Sequence, residues 1–116
     1  KVCLLHMKQI KQKLGISGIF TNEYAWLSKK VKSGAQIDLL IDRKDDVINL
    51  CEIKYSQEAF SIDAEYEDAL NHKIEAFREE TRTSKALWLT MISFSGIVKN
   101  SHAHNVISVI TGDDLF

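Results

Sequence analysis

The stretch "GAQIDLLIDRKDDVINLCEIKYS", residues 34–56, decides the fold. Two runs rich in aliphatic and β-branched residues, about 35–43 and 47–55, flank the polar turn around "KDD". That is the signature of a β-hairpin. Yet Asp38, Asp42, Glu52 and Lys54 are set into strands apolar enough to be buried. Side chains alternate faces along a strand, so Gln36, Asp38, Leu40 and Asp42 share one face. On the second strand Ile48, Leu50, Glu52 and Lys54 do the same.

Whether the two sets meet depends on the turn. A two- or four-residue loop pairs Asp38 with Cys51 and sends Glu52 to the opposite face. A three-residue loop, Lys44-Asp45-Asp46, pairs Arg43 with Val47 and sets Leu40 opposite Leu50, Asp38 opposite Glu52 and Gln36 opposite Lys54. That register also gathers Ile37, Leu39, Ile41, Cys51 and Ile53 on the other face as core, so the apolar pattern favours it. Such a loop needs a residue in the left-handed region, which Asp tolerates better than most.

Outward from the hairpin, Cys3, Met7, Ile10 and Leu14 recur at helical spacing, with Gly15 placed to end the helix. "EYAWLSKK" reads as a strand. "SIDAEYEDALNHKIEAFREETR" reads as a helix with the stripe Tyr66, Leu70, Ile74 and Phe77 and with Arg78 and Arg82 near its end. "KALWLTMISF" and "VISVI" read as strands, the former placing Trp88 in the core or at a domain interface, and "TGDDLF" as a helix start. The order is α-β-β-β-α-β-loop-β, an α+β or α/β fold built on a central mixed sheet flanked by helices.

The 116 residues make one domain, residues 1–116, and the 45% apolar content is that of an ordinary globular protein. Fifteen basic residues against sixteen acidic ones leave a net charge of -1, so no global field attracts nucleic acid. Cys3 and Cys51 sit in apolar surroundings and read as reduced, buried thiols of a cytoplasmic protein. No apolar run approaches the roughly 20 residues that span a bilayer. The chain opens without Met and already inside a helical pattern, so it reads as the C-terminal domain of a longer polypeptide.

Two carboxylates facing each other across a covered hairpin repel unless a cation or proton lies between them. One reading is a solvated face on which Lys54 pairs with Glu52 or Asp38. The other is Mg2+, or Mn2+, held by Asp38, Glu52 and the backbone carbonyl of Ile53. Such a metal lowers the pKa of bound water and neutralises charge on a phosphodiester. Lys54 and Gln36 would then position the attacking water or steady the phosphate.

"AQIDLL" followed by "CEIKYS" resembles the paired motifs of the PD-(D/E)XK nuclease superfamily, and the element order is similar to its restriction-endonuclease-like αβββαβ core. More narrowly, "LGISGIFTNEYAW", "GAQIDLLIDR", "LCEIKYS" and "DDLF" resemble the C-terminal domain of a bacterial family of AAA-type ATPases. The resemblance implies a metal-dependent nuclease-like domain acting on DNA and joined to an ATPase, with Asp38 and Glu52 as metal ligands and Lys54 as the motif lysine. It also implies an alternative, a catalytically silent nuclease fold that binds DNA or docks the ATPase. Ile37 replaces the name-giving proline, no helix-one glutamate is visible, and the Gln-x-x-x-Tyr motif is missing from the second helix.

Three smaller features complete the reading. Lys29, Lys30 and Lys32 form the one basic cluster, a solvated turn or a contact to DNA phosphates. His102 and His104 in "SHAHN" read as a loop rather than a zinc site, which wants further ligands. No Gly-rich phosphate loop is present, so this segment does not itself bind ATP. An oligomer is compatible with the sequence.

Overall fold

The computed structural model describes residues 5–30 and 34–116. Among these the elements are α1 (Met7–Lys13), β1 (Thr21–Leu27), β2 (Gln36–Arg43), β3 (Val47–Lys54), α2 (Ala64–Thr81), β4 (Ala86–Ser93), a 3-10 turn (Ser101–Ala103), β5 (Ser108–Ile110) and α3 (Gly112–Leu115). One five-stranded sheet runs β1-β2-β3-β4-β5, with β1–β2–β3 antiparallel and β3–β4–β5 parallel. It is a mixed α+β fold whose sheet carries helices on both faces, in the order expected from the sequence.

Local chemistry explains the boundaries. At the end of α1, Gly15 is left-handed (φ 73°), and the Gly15 and Ile16 N–H groups donate to the Gln12 and Lys11 carbonyls. That pair of bonds satisfies carbonyls the helix would otherwise leave open. Cys3 lies outside the described residues. The Asp63 carboxylate caps α2 by accepting from the Tyr66 N–H at 2.7 Å. At its other end Arg78 Nη1 donates to the Thr83 and Lys85 carbonyls. β1 stops at Leu27 instead of running through "SKK", because Ser28 and Lys29 turn toward α2 (below).

The hairpin has the expected three-residue loop. Asp46 is left-handed (φ 66°), Leu40 opposes Leu50, and Leu39 opposes Cys51. Buried residues of the sheet sort into two layers. Leu39, Ile41, Cys51, Ile92 and Ile110 pack under α1 and α3. Ile37, Leu40, Ile48 and Leu50 pack under α2 around Phe77. Ile37 is therefore on the opposite side from Leu39, Ile41 and Cys51, which corrects the grouping drawn from strict alternation. Trp88 is also not core: it is 37% exposed, with the Arg43 guanidinium 5.2 Å above its ring. Among the described residues no helix is long and apolar enough to cross a membrane.

Candidate functional site

A β-bulge decides where the acids go. Tyr24 opposes Leu40, but Trp26 opposes Ile37, so Ala25 alone faces both Asp38 and Leu39. Two residues against one locally break the alternation of faces. Leu39 through Arg43 keep the phase set by the hairpin turn, whereas Gln36, Ile37 and Asp38 are flipped. Ile37 goes to the α2 side, where it joins Phe77 and Trp26. Asp38 goes to the α1 side, with Gln36 donating to it from Nε2 at 3.0 Å. There the exposed Asp38 lines a cavity of about 420 Å³ with Glu23, Tyr24, Ala25, Leu39, Ile53 and Tyr55.

Glu52 stays on the α2 side, in phase with Ile48 and Leu50. Its side chain is 11% exposed, and its carboxylate accepts from Lys73 Nζ at 3.0 and 3.2 Å and from the Tyr66 hydroxyl at 3.3 Å. Lys54 shares that side, its ammonium 4.7 Å from the Tyr66 ring centroid and 5.2 Å from that of Phe60. Burial, and after it the Glu52 charge, pushes the Tyr66 phenol far above its ordinary range. Lys73 and the Tyr66 hydroxyl thus satisfy the Glu52 carboxylate, while the second ammonium, that of Lys54, lies against two aromatic rings.

Glu52 and Lys54 are thus together, and so are Gln36 and Asp38, but the two pairs lie on different sides of the sheet. The divalent ion expected between Asp38 and Glu52 does not fit this arrangement: the acids do not converge, and Lys73 already supplies the positive charge at Glu52. Ile53, whose backbone carbonyl was to complete the ligand set, has its side chain in the cavity on the Asp38 side. Among the described residues no three His, Cys, Asp or Glu side chains converge to hold a metal ion.

Of the basic cluster, the Lys30 ammonium is paired with an acid, and Lys29 is held through its backbone. Lys30 Nζ lies 2.8 Å from Glu79, the Lys29 N–H donates to Glu80 at 2.9 Å, and the Ser28 hydroxyl donates to Glu80. Hydrogen bonding and charge from Lys30 hold the Glu79 carboxyl below its usual range, and the Ser28 and Lys29 donors do the same for Glu80. Lys32 lies outside the described residues. These bonds tie the segment after β1 to the end of α2.

His102 Nδ1 sits 2.9 Å from Glu67, and His104 Nδ1 is 2.5 Å from the Ser101 carbonyl and 3.6 Å from Glu67. The loop is docked on α2 rather than free in solvent.

Sequence reasoning missed Lys73 and Tyr66, the residues that define the Glu52 environment. Their signal was present: positions 66, 70, 73 and 77 follow one helix face, so a lysine there meets whatever the sheet presents. Comparisons of the chain with family models, with curated proteins and with solved structures find no match.

Proposed function

We propose that this domain is a nuclease-like fold that does not cut, and that it serves as a docking module for an ATPase portion of the same polypeptide. The order α-β-β-β-α-β, the mixed sheet and the helices on both faces support a restriction-endonuclease-like core. The observation that carries the silent reading is the bulge opposite Ala25. It turns Asp38 away from Glu52, while Lys73 neutralises Glu52 from α2. A docking role is favoured over DNA binding because Lys30 is paired with Glu79 and the net charge is -1.

The test has two arms. With Mg2+ or Mn2+ present, the chain leaves supercoiled plasmid and single-stranded DNA intact, as does its Glu52→Gln variant. Metal-dependent nicking that disappears in Glu52→Gln would overturn the silent reading. In the second arm, backbone amides of the sheet exchange more slowly with deuterium in the longer polypeptide than in the 116-residue chain. Equal exchange throughout would defeat docking.

A further inference from the structure

β1 is an edge strand, and its free edge runs beside the cavity that holds Asp38. We propose that this edge binds an extended peptide which adds a strand to the sheet and places a Lys or Arg side chain in that cavity. The proposal deepens the docking reading, on which it rests in taking the partner to be a polypeptide.

Backbone geometry supplies the first half. The Lys44 N–H donates to the Phe20 carbonyl at 3.0 Å, and the Ser28 N–H donates to the Ala35 carbonyl at 2.9 Å. In an antiparallel ladder alternate residues bond to the neighbour. Even-numbered residues of β1 therefore face β2, and Thr21, Glu23, Ala25 and Leu27 turn their N–H and C=O groups outward. No described strand pairs with that side. The edge also lacks the usual protection: β1 contains no Lys and no Pro, the bulge is on β2, and Leu27 is 67% exposed. Strand addition to such an edge takes affinity from main-chain bonds and specificity from side-chain pockets.

The cavity supplies the second half. Its lining combines the apolar Ala25, Leu39 and Ile53 with the acidic Glu23 and Asp38. Glu23 accepts from the Thr21 hydroxyl at 2.5 Å and Asp38 from the Gln36 amide, and neither has a cationic partner among the described residues. Apolar lining beside two carboxylates without a cation suits a long aliphatic stem ending in a cation. That charge complementarity selects the occupant. DNA would meet two anions. A second copy would bring "TNEYAWL", which has no basic residue to offer.

The probe is a fluorescein-labelled short peptide of alternating Thr and Val with one central Lys, titrated into the 116-residue chain and read by anisotropy. Saturable binding is expected, weakened about tenfold when norleucine replaces the Lys or when Glu23→Gln and Asp38→Asn are combined. Ala25→Pro removes an outward donor without touching the β1–β2 bonds, and it abolishes binding while circular dichroism stays that of the folded chain. Should Ala25→Pro fail to fold, wild-type hydrogen exchange replaces it: the Glu23 and Ala25 amides gain protection on peptide addition. Absence of saturable binding, binding indifferent to the Lys and to both acids, or no gain of protection along β1 would each overturn the proposal. A concentration-dependent dimer that occupies the edge would also overturn it, in favour of a second copy. Failure of the peptide leaves the plasmid and whole-sheet exchange experiments standing.

Discussion

Lys73 of α2 lies with its ammonium 3.0 and 3.2 Å from the two carboxylate oxygens of Glu52 on β3, the latter only 11% exposed. The pair joins helix to sheet, and Tyr66 donates a third hydrogen bond to the Glu52 carboxylate. Removing one member strands the other in a mostly dry site, whereas removing both does not.

Lys73→Met is therefore expected to destabilise the chain by roughly 1–3 kcal/mol, since it leaves the Glu52 carboxylate without its charge partner. Adding Glu52→Gln to Lys73→Met should restore part of that loss. Urea denaturation of the two single variants and the double variant gives the coupling directly. Additive effects would mean that the two groups do not act as a pair.

Tyr66 carries a pH signature. Its pKa in the fold is raised, first by burial and then by the neighbouring Glu52 charge. The folded state thus holds the phenol proton more tightly than the unfolded state, whose value is about 10. The contribution is complete below that pH and is lost as pH rises above it toward the folded value. Stability of the wild type should fall between roughly pH 10 and 11 more steeply than that of Tyr66→Phe. Tyr24, raised by burial and by Asp42, adds a slope of the same sign to both proteins, so the difference isolates Tyr66.

Asp46 closes the hairpin with φ 66°, a region that penalises any residue with a Cβ. Its carbonyl accepts from the Ala86 N–H at 3.1 Å, which joins the turn to the start of β4. Asp46→Gly keeps that backbone bond and relieves the strain, so a gain of up to about 1 kcal/mol is expected. Asp46→Val, β-branched, should lose more than Asp46→Gly gains. Thermal unfolding of the three proteins checks the order. If glycine proved destabilising, the left-handed turn that sets the hairpin register would be in question.

Much of this architecture was legible because its causes are local. The apolar spacing of Ile10 and Leu14, the glycine at 15 and the three-residue "KDD" turn are each set by neighbours within a few positions. The same turn fixed Leu40 opposite Leu50. The site was less legible. Its acids were correctly placed on adjacent strands, but the inference that they meet assumed unbroken alternation along β2.

That assumption failed at Asp38 and Leu39, which share Ala25 of β1 as their partner. The sequence by itself determined the elements, their order and the hairpin register, since helix caps, turn chemistry and apolar periodicity act over a few residues. Only the tertiary structure decided which face each acid takes and what neutralises it. A bulge depends on how β1 is laid against β2, and the Glu52–Lys73 pair depends on how α2 crosses the sheet. Both are relations between segments distant in the chain, fixed when the two apolar layers close on either side of the strands.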